Sequence, residues 1–579
     1  MSTKSENTTP EPEEEVSPFF KACRAGDVEA VKEFLRDLDI DVNKPDENGV
    51  TGLIAASETS LDVVDLLLRD DRIKINAVNN EGISGFMVAC GSGNVAIVSR
   101  YLEEPTLNMN HMNSRGMSGF VVACMVGRTE IVELLKNKPQ IDQLHLSMGV
   151  YFACTSGSVE ALDILLALDN VDVNIADPAH GNTPLIVASQ FGHTKAVERL
   201  LKVENISVNH QNKHGGTAFR SACSKGHAEI VDLLLKYPGI NTDEVSEGLV
   251  DAIGNGHSGL VKTLLAHPQV DINHAVNPSG SSLHVTALAL AAASGQTSLI
   301  EELLQIPLIQ VNPVDNTHMS ALVQASFTGQ LDVVSVLLKH PGIDINQTNE
   351  FGNNALFAAV AHGHVETALR LLEFSALDAH NVNQVGQNAF MIASCLDQVE
   401  VVNKIIARPG LDINAADADG KTALLLACSK NAVQALPLLL AHPDIDVNKT
   451  DNNGSSALLI ACATGNKEIL RLLLAHDKID VNQKNKDGTT VFFGATLNGA
   501  LEILPILLAD ARVDVNAKDG RGNTPLMAAC MTRQINVVKL LLTHPAVDAT
   551  ATNNEGKTVQ DIATSNYYLD ISDVLVALK

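Results

Sequence analysis

Tryptophan is absent from this chain of 579 residues, and aromatic side chains supply only 3% of it. The 45% of residues that are apolar must therefore build the interior with little aromatic help. Ala and Leu carry that packing, which suits small helices at close spacing. Basic residues are scarce as well: 41 Lys and Arg stand against 68 Asp and Glu, a formal net charge of −27. Binding a phosphate backbone needs clustered Lys and Arg, so nucleic acid is not an expected partner. No apolar run reaches the roughly 18 to 20 residues that span a bilayer, and no membrane insertion is expected. Residues Met1 to Val16 carry Glu11, Glu13, Glu14 and Glu15 and lack the apolar stretch of a signal peptide. They read as a disordered acidic tail.

Paired cysteines are also missing. Eight of the nine cysteines (Cys23, Cys90, Cys124, Cys154, Cys223, Cys428, Cys462 and Cys530) follow an Ala in one recurring helical phrase. No CxxC pair exists, so spacing excludes a metal knuckle or a disulfide framework. They read as small core residues, and free thiols in this number favour a reducing compartment. The expected location is cytoplasmic, with the nucleus compatible. Cys395 lies one residue further on, where it is expected to be more accessible. Phosphate-binding loops, kinase signatures and nucleophile elbows are not found, so no catalytic residue, cofactor or metal is expected.

What the chain does have is a recurring phrase. Ile/Val-Asp-Ile/Val-Asn, or a variant of it, ends at Asn43, Asn76, Asn110, Asn174, Asn209, Asn273, Asn312, Asn346, Asn414, Asn448, Asn482 and Asn516, with weaker echoes at Leu144, Asp243, His380 and Thr550. Most neighbouring marks are 34 residues apart. A fixed period of this length means stacked small units rather than one central core.

The unit between Asn414 and Asn448 shows the grammar. Asp417-Ala418-Asp419-Gly420 is a turn, and Thr422 is a helix N-cap. Ala423 to Lys430 forms a first helix, and Asn431 is the left-handed break that Gly supplies in twelve of seventeen units. Ala432 to Ala441 forms a second helix, which His442-Pro443 ends. The cap position elsewhere holds Thr51, Ser84, Ser118, Thr183, Thr217, Thr286, Ser320, Asn354, Asn388, Ser456, Thr490, Thr524 and Thr558, all good N-caps. Histidines fall at two periodic places. His193, His227, His257 and His364 begin second helices, and His267, His340, His442 and His544 end them. Both sets read as structural.

Gly181-Asn182-Thr183-Pro184-Leu185, Gly522-Asn523-Thr524-Pro525-Leu526 and Gly226-His227-Ala228-Glu229-Ile230-Val231-Asp232-Leu233-Leu234 together resemble the ankyrin repeat. The resemblance covers residues 17 to 579. This chain departs from the family phrase in two ways: the early His is replaced (Ile186, Leu425, Met527), and one residue is added before Asp-Val-Asn. The implied fold is an all-α solenoid of helix-turn-helix units with short β-hairpin fingers. A capping pair is expected at 17–43, repeats at 44–550 and a C-terminal cap at 551–579.

The grammar breaks in three units. Units 145–174 and 244–273 lack four residues before the first helix, so the finger and its N-cap should be missing and Met148 and Glu247 stand at the cap position. Unit 274–312 is longer by about five residues around Pro278-Ser279-Gly280-Ser281-Ser282. The short units either notch the row of fingers or record drift in a redundant array. Pro437 and Pro505 lie inside second helices, where each should bend its helix.

Ankyrin repeats bind other proteins through finger tips and the ends of first helices, which line a concave groove. The resemblance therefore implies partner-binding candidates at Met125, Val126, Phe191, Phe327, Leu396, Leu497 and Met531, with Phe351 at a finger tip. The expected role is a non-catalytic, monomeric interaction scaffold or adaptor for proteins or extended peptides. The alternative is a regulatory or inhibitory subunit of a partner enzyme.

Overall fold

The computed structural model describes residues 17–241, 243–268, 270–275, 285–315 and 318–577. The expected acidic tail and the Pro278–Ser282 insertion lie outside these. The described residues form two compact bodies, one up to Ile272, the other Asn273–Ala275 with the residues from Val285 onward. Among the described residues, helices come in seventeen pairs, from Pro18–Ala25 and Val28–Arg36 to Val559–Ser565 and Leu569–Ala577. None of the described helices is long and apolar enough to cross a membrane.

Local chemistry sets each pair. Thr422 Oγ1 accepts the Leu425 amide at 3.3 Å, and the other thirteen cap residues likewise accept an amide three residues on. Among the described residues, five non-glycine residues have positive φ. Asp397, Asn431, Arg533 and Tyr567 occupy helix breaks and His318 a finger tip, all places where other units use Gly. Within a unit, Leu424, Leu425 and Cys428 of the first helix and Leu436 and Leu439 of the second are buried. Each fully buried Leu contributes about 1.5–3 kcal/mol of apolar transfer free energy. First helices pack more extensively against their neighbours than second helices do. In four units where a Phe reaches over from the preceding unit, the next first helix carries Gly at the contact (Gly52, Gly119, Gly149 and Gly248). A Cβ on Gly119 would lie 2.8 Å from the Phe86 ring, and one on Gly248 only 2.5 Å from Phe219.

The repeated Asn is the main polar tie between units. All twelve of these asparagines donate from Nδ2 to a backbone carbonyl of the next unit at 2.5–2.9 Å. Eleven of them also accept a backbone amide of that unit on Oδ1, at 2.7–3.0 Å. In the commonest case that amide belongs to the Asp of the next Asp-Val/Ile-Asn, whose carboxylate accepts the amide of its own Asn (Asp446 and Asn448, 3.0 Å). Part of the acidity of the chain is therefore structural. The periodic histidines tie units as well: Nε2 of His193, His227, His257 and His364 meets a carbonyl near the end of the preceding first helix at 2.9–3.2 Å.

Fingers are Asx turns. Asp417 Oδ1 accepts the Asp419 and Lys421 amides, and an isolated antiparallel bridge joins Ala416 to Thr422. Successive tips are linked by backbone bonds such as Ala418 N to Val385 O, 2.9 Å.

Two expectations need correction. The N-cap of the first short unit is relocated rather than lost: Asp142 caps a lengthened first helix, Gln143–Ser156, and Met148 lies inside it. Removing the finger lets the helix run back to the nearest capping side chain. The other short unit also has a lengthened first helix, Asp243–Gly254, with Glu247 inside it. Pro437 and Pro505 do not bend their helices. Those helices start late, as Leu436–Leu440 and Leu504–Leu508, with proline in the first turn where its missing N–H costs no helical bond.

Candidate protein-binding groove

First-helix ends and finger tips come together in the first body, where Gln190, Lys225, His180 and His214 line one cavity. Seven of the eight predicted anchors are open to solvent: Val126, Phe191, Phe327, Phe351, Leu396, Leu497 and Met531 are 42–57% exposed, and Met125 is half-buried. Met125 and Val126 are neighbours, whereas Phe191 stands two units further along, beyond the unit of Tyr151 and Phe152. In the second body the Phe327 ring lies 4.0 Å from that of His362, and Leu396 holds the matching position of the following unit. Phe351 shares its finger row with Val385, 52% exposed, which the sequence reading missed. The signal was available: both residues stand just before the finger glycine.

A second missed feature lies in the first body. Finger-tip residues His180 and His214 place their rings 6.2 Å apart. Together with Asn182, Gln190, Asn212, Gly216, Arg220, Ser221, Ser224 and Lys225 they line a cavity of about 390 Å³ between fingers and first helices. Behind it is a buried ionic cluster. Arg220 donates to Asp251 at 2.7 and 3.2 Å and pairs with Glu247 at 2.9 Å, while Glu244 accepts the Thr217 hydroxyl at 2.7 Å. Burial raises the Glu244 carboxyl above its ordinary value and outweighs the nearby Arg220.

Thiol reactivity has little support in this geometry. Burial pushes the Cys90, Cys124 and Cys154 thiols upward, and Cys428 up to about 12. Cys395 is half-buried, and burial raises it too, against a smaller opposing effect of Lys430. A reactive cysteine needs the opposite shift.

Comparison with known proteins agrees with the repeat grammar. Among solved structures, an ankyrin repeat protein is 28% identical, covering 33% of this chain and 98% of its own at a TM-score of 0.31. The ankyrin repeat domain of Bcl-3, a member of the IkappaB protein family, is 26% identical, covering 39% of this chain and 100% of its own at a TM-score of 0.36. An ankyrin repeat domain from Acinetobacter baumannii is 29% identical, covering 33% and 96% at a TM-score of 0.30. No curated protein matches the chain significantly. The family profile for ankyrin repeats (three copies) matches residues 86–177, 150–245, 249–349, 341–417, 399–485 and 492–579. With caps, breaks and inter-unit asparagines accounted for along the same stretches, the chain belongs to the ankyrin-repeat family.

Proposed function

We propose that this protein is a non-catalytic scaffold or adaptor whose groove and finger tips bind proteins or extended peptide segments. Ankyrin repeats are in general protein-interaction modules. The observation that carries the reading is the row of solvent-open apolar side chains at matching first-helix and finger-tip positions, where Ser, Thr or Asn stand in other units. Large apolar side chains at such places are the usual anchors of an interface. The reading takes the protein as a monomer. It also puts it in the cytoplasm or nucleus, in keeping with its nine free cysteines.

Affinity capture from a cell extract tests this, with the wild type beside a Phe327→Ser/Leu396→Ser variant and a control substituted at exposed second-helix positions. Partners should be retained by the wild type and the control and lost by the groove variant. Equal capture by all three would contradict the proposal. Stoichiometric recovery of a single enzyme would instead identify a regulatory subunit.

A further inference from the structure

The cavity beneath His180 and His214 runs against the charge of the whole molecule. The chain carries −27, yet no Asp or Glu lines this cavity. Its walls present Lys225, two imidazoles, and the amides and hydroxyls of Asn182, Gln190, Ser221 and Ser224. Asp251 and Glu247 outnumber Arg220 behind the wall, so at the cavity surface Lys225 is the cation and the other lining groups supply donors. Lys213 adds a second cation at the same finger, its Nζ donating to the Pro178 carbonyl at 2.6 Å. Phe191, beside Gln190, forms an exposed apolar shoulder with its ring 6.3 Å from that of His193.

We propose that this cavity takes the carboxylate of an Asp or Glu from an extended segment of a partner protein, whose adjacent large apolar side chain packs on Phe191. The inference rests on the scaffold reading and specifies one subsite of it. Charge complementarity selects the occupant. A long polyanion such as RNA, or an anionic membrane, is repelled by the field of the whole protein. A single carboxylate within a mixed peptide can meet Lys225 and the polar donors at the cavity surface directly, in the charge-assisted geometry that makes such bonds strong.

Panning the full-length protein against a random peptide display library tests the assignment, in parallel with a Lys225→Gln/His214→Gln variant. Both side chains are exposed, so the variant should keep the wild-type thermal melting curve. Selected peptides should carry Asp or Glu beside a large apolar residue. Synthetic copies should bind the variant about tenfold or more weakly. Peptides with Asn or Gln in place of the acid should lose as much on the wild type, and added salt should weaken wild-type binding. Failure to select any peptide, selection without acidic residues, or binding indifferent to the two substitutions would overturn the proposal. Peptides that ignore Lys225 and His214 but are lost on Phe327→Ser/Leu396→Ser would overturn this subsite while the scaffold reading stands. A labelled RNA oligonucleotide bound through Lys225 and His214 would also overturn it.

Discussion

Asn414 to Asn448 is a regular unit, and Leu144 to Asn174 a shortened one. The regular unit receives Asn414 Nδ2 on the Asp444 carbonyl and offers the Asp446 amide to Asn414 Oδ1, both bonds from a loop residue of its predecessor. The short unit has no finger, and Leu144 stands where a preceding Asn would have made that pair with it. Its lengthened first helix instead presents Ser147, whose Oγ accepts the Asp172 amide in the exit loop of the same unit at 2.9 Å and donates to the Gln143 carbonyl. The other short unit does the same, with Ser246 Oγ accepting the Asp271 amide at 3.0 Å. The solenoid thus tolerates loss of the finger but still satisfies the amide that the finger-bearing design would have bonded. At the entry to the first short unit one lone pair is stranded: Asn110 Oδ1 has no partner among the described residues.

The largest way to break this comparison is in the second short unit. Its longer helix buries Glu244 and Asp251 beside Arg220 and sets the part-exposed Glu247 against it. Arg220→Met should cost about 3–5 kcal/mol by leaving buried carboxylates without their cation, measured by chemical denaturation. Next, Asn448→Ala removes two inter-unit bonds, and Ser147→Ala removes the one bond that holds the exit-loop amide within the short unit. The expected losses are about 1–3 and about 0.5–1.5 kcal/mol, and equal losses would refute the claim that Ser replaces only one of the two Asn bonds. His380 sharpens the contrast from the other side. It stands where Asn is expected, its Nε2 meets the Pro409 carbonyl at 3.2 Å, and its Nδ1 is buried without a partner. His380→Asn should restore the second bond and stabilise by about 0.5–1.5 kcal/mol, read as a higher melting temperature.

The smallest effect is pH-dependent. Burial raises the Glu244 carboxyl above 4.5, so between that pH and its raised value the folded chain holds more protons than the unfolded one. Stability is then lost as pH rises through that window and stays level above it. Glu244→Gln should raise the melting temperature at neutral pH by a margin that shrinks as pH falls toward 4.5. A margin independent of pH would contradict this account of Glu244.

Most of the fold was legible because its signals are local. A Thr three residues before an amide, a Gly at a left-handed break and an Asp two residues before an Asn each act within one turn of chain. The relocated cap at Asp142 was not legible, because Asp142 becomes a cap only once the finger is gone and the helix is free to run back. Ser147 and Ser246 were passed over because their partners lie 25 residues away, in the loop that leaves the same unit. Glu244, Glu247 and Asp251 look like a solvated stripe until the stack puts Arg220 against them. Most of the groove anchors could be placed in register from the period alone. The His180–His214 pair needed the finger tips to be aligned between units.

Hydrogen exchange resolved to single amides tests the central claim most directly: one side chain holds the exit-loop amide of each unit, an Asn of the preceding unit in the regular design and a Ser of the same unit in the short one. Asn448→Ala should deprotect the Asp480 amide, and Ser147→Ala the Asp172 amide. The capped amides Leu459, in the unit after Asn448, and His145, in the short unit, should stay protected. If the Asp480 and Asp172 amides keep their protection, these side chains do not hold the loop amides and the account is wrong.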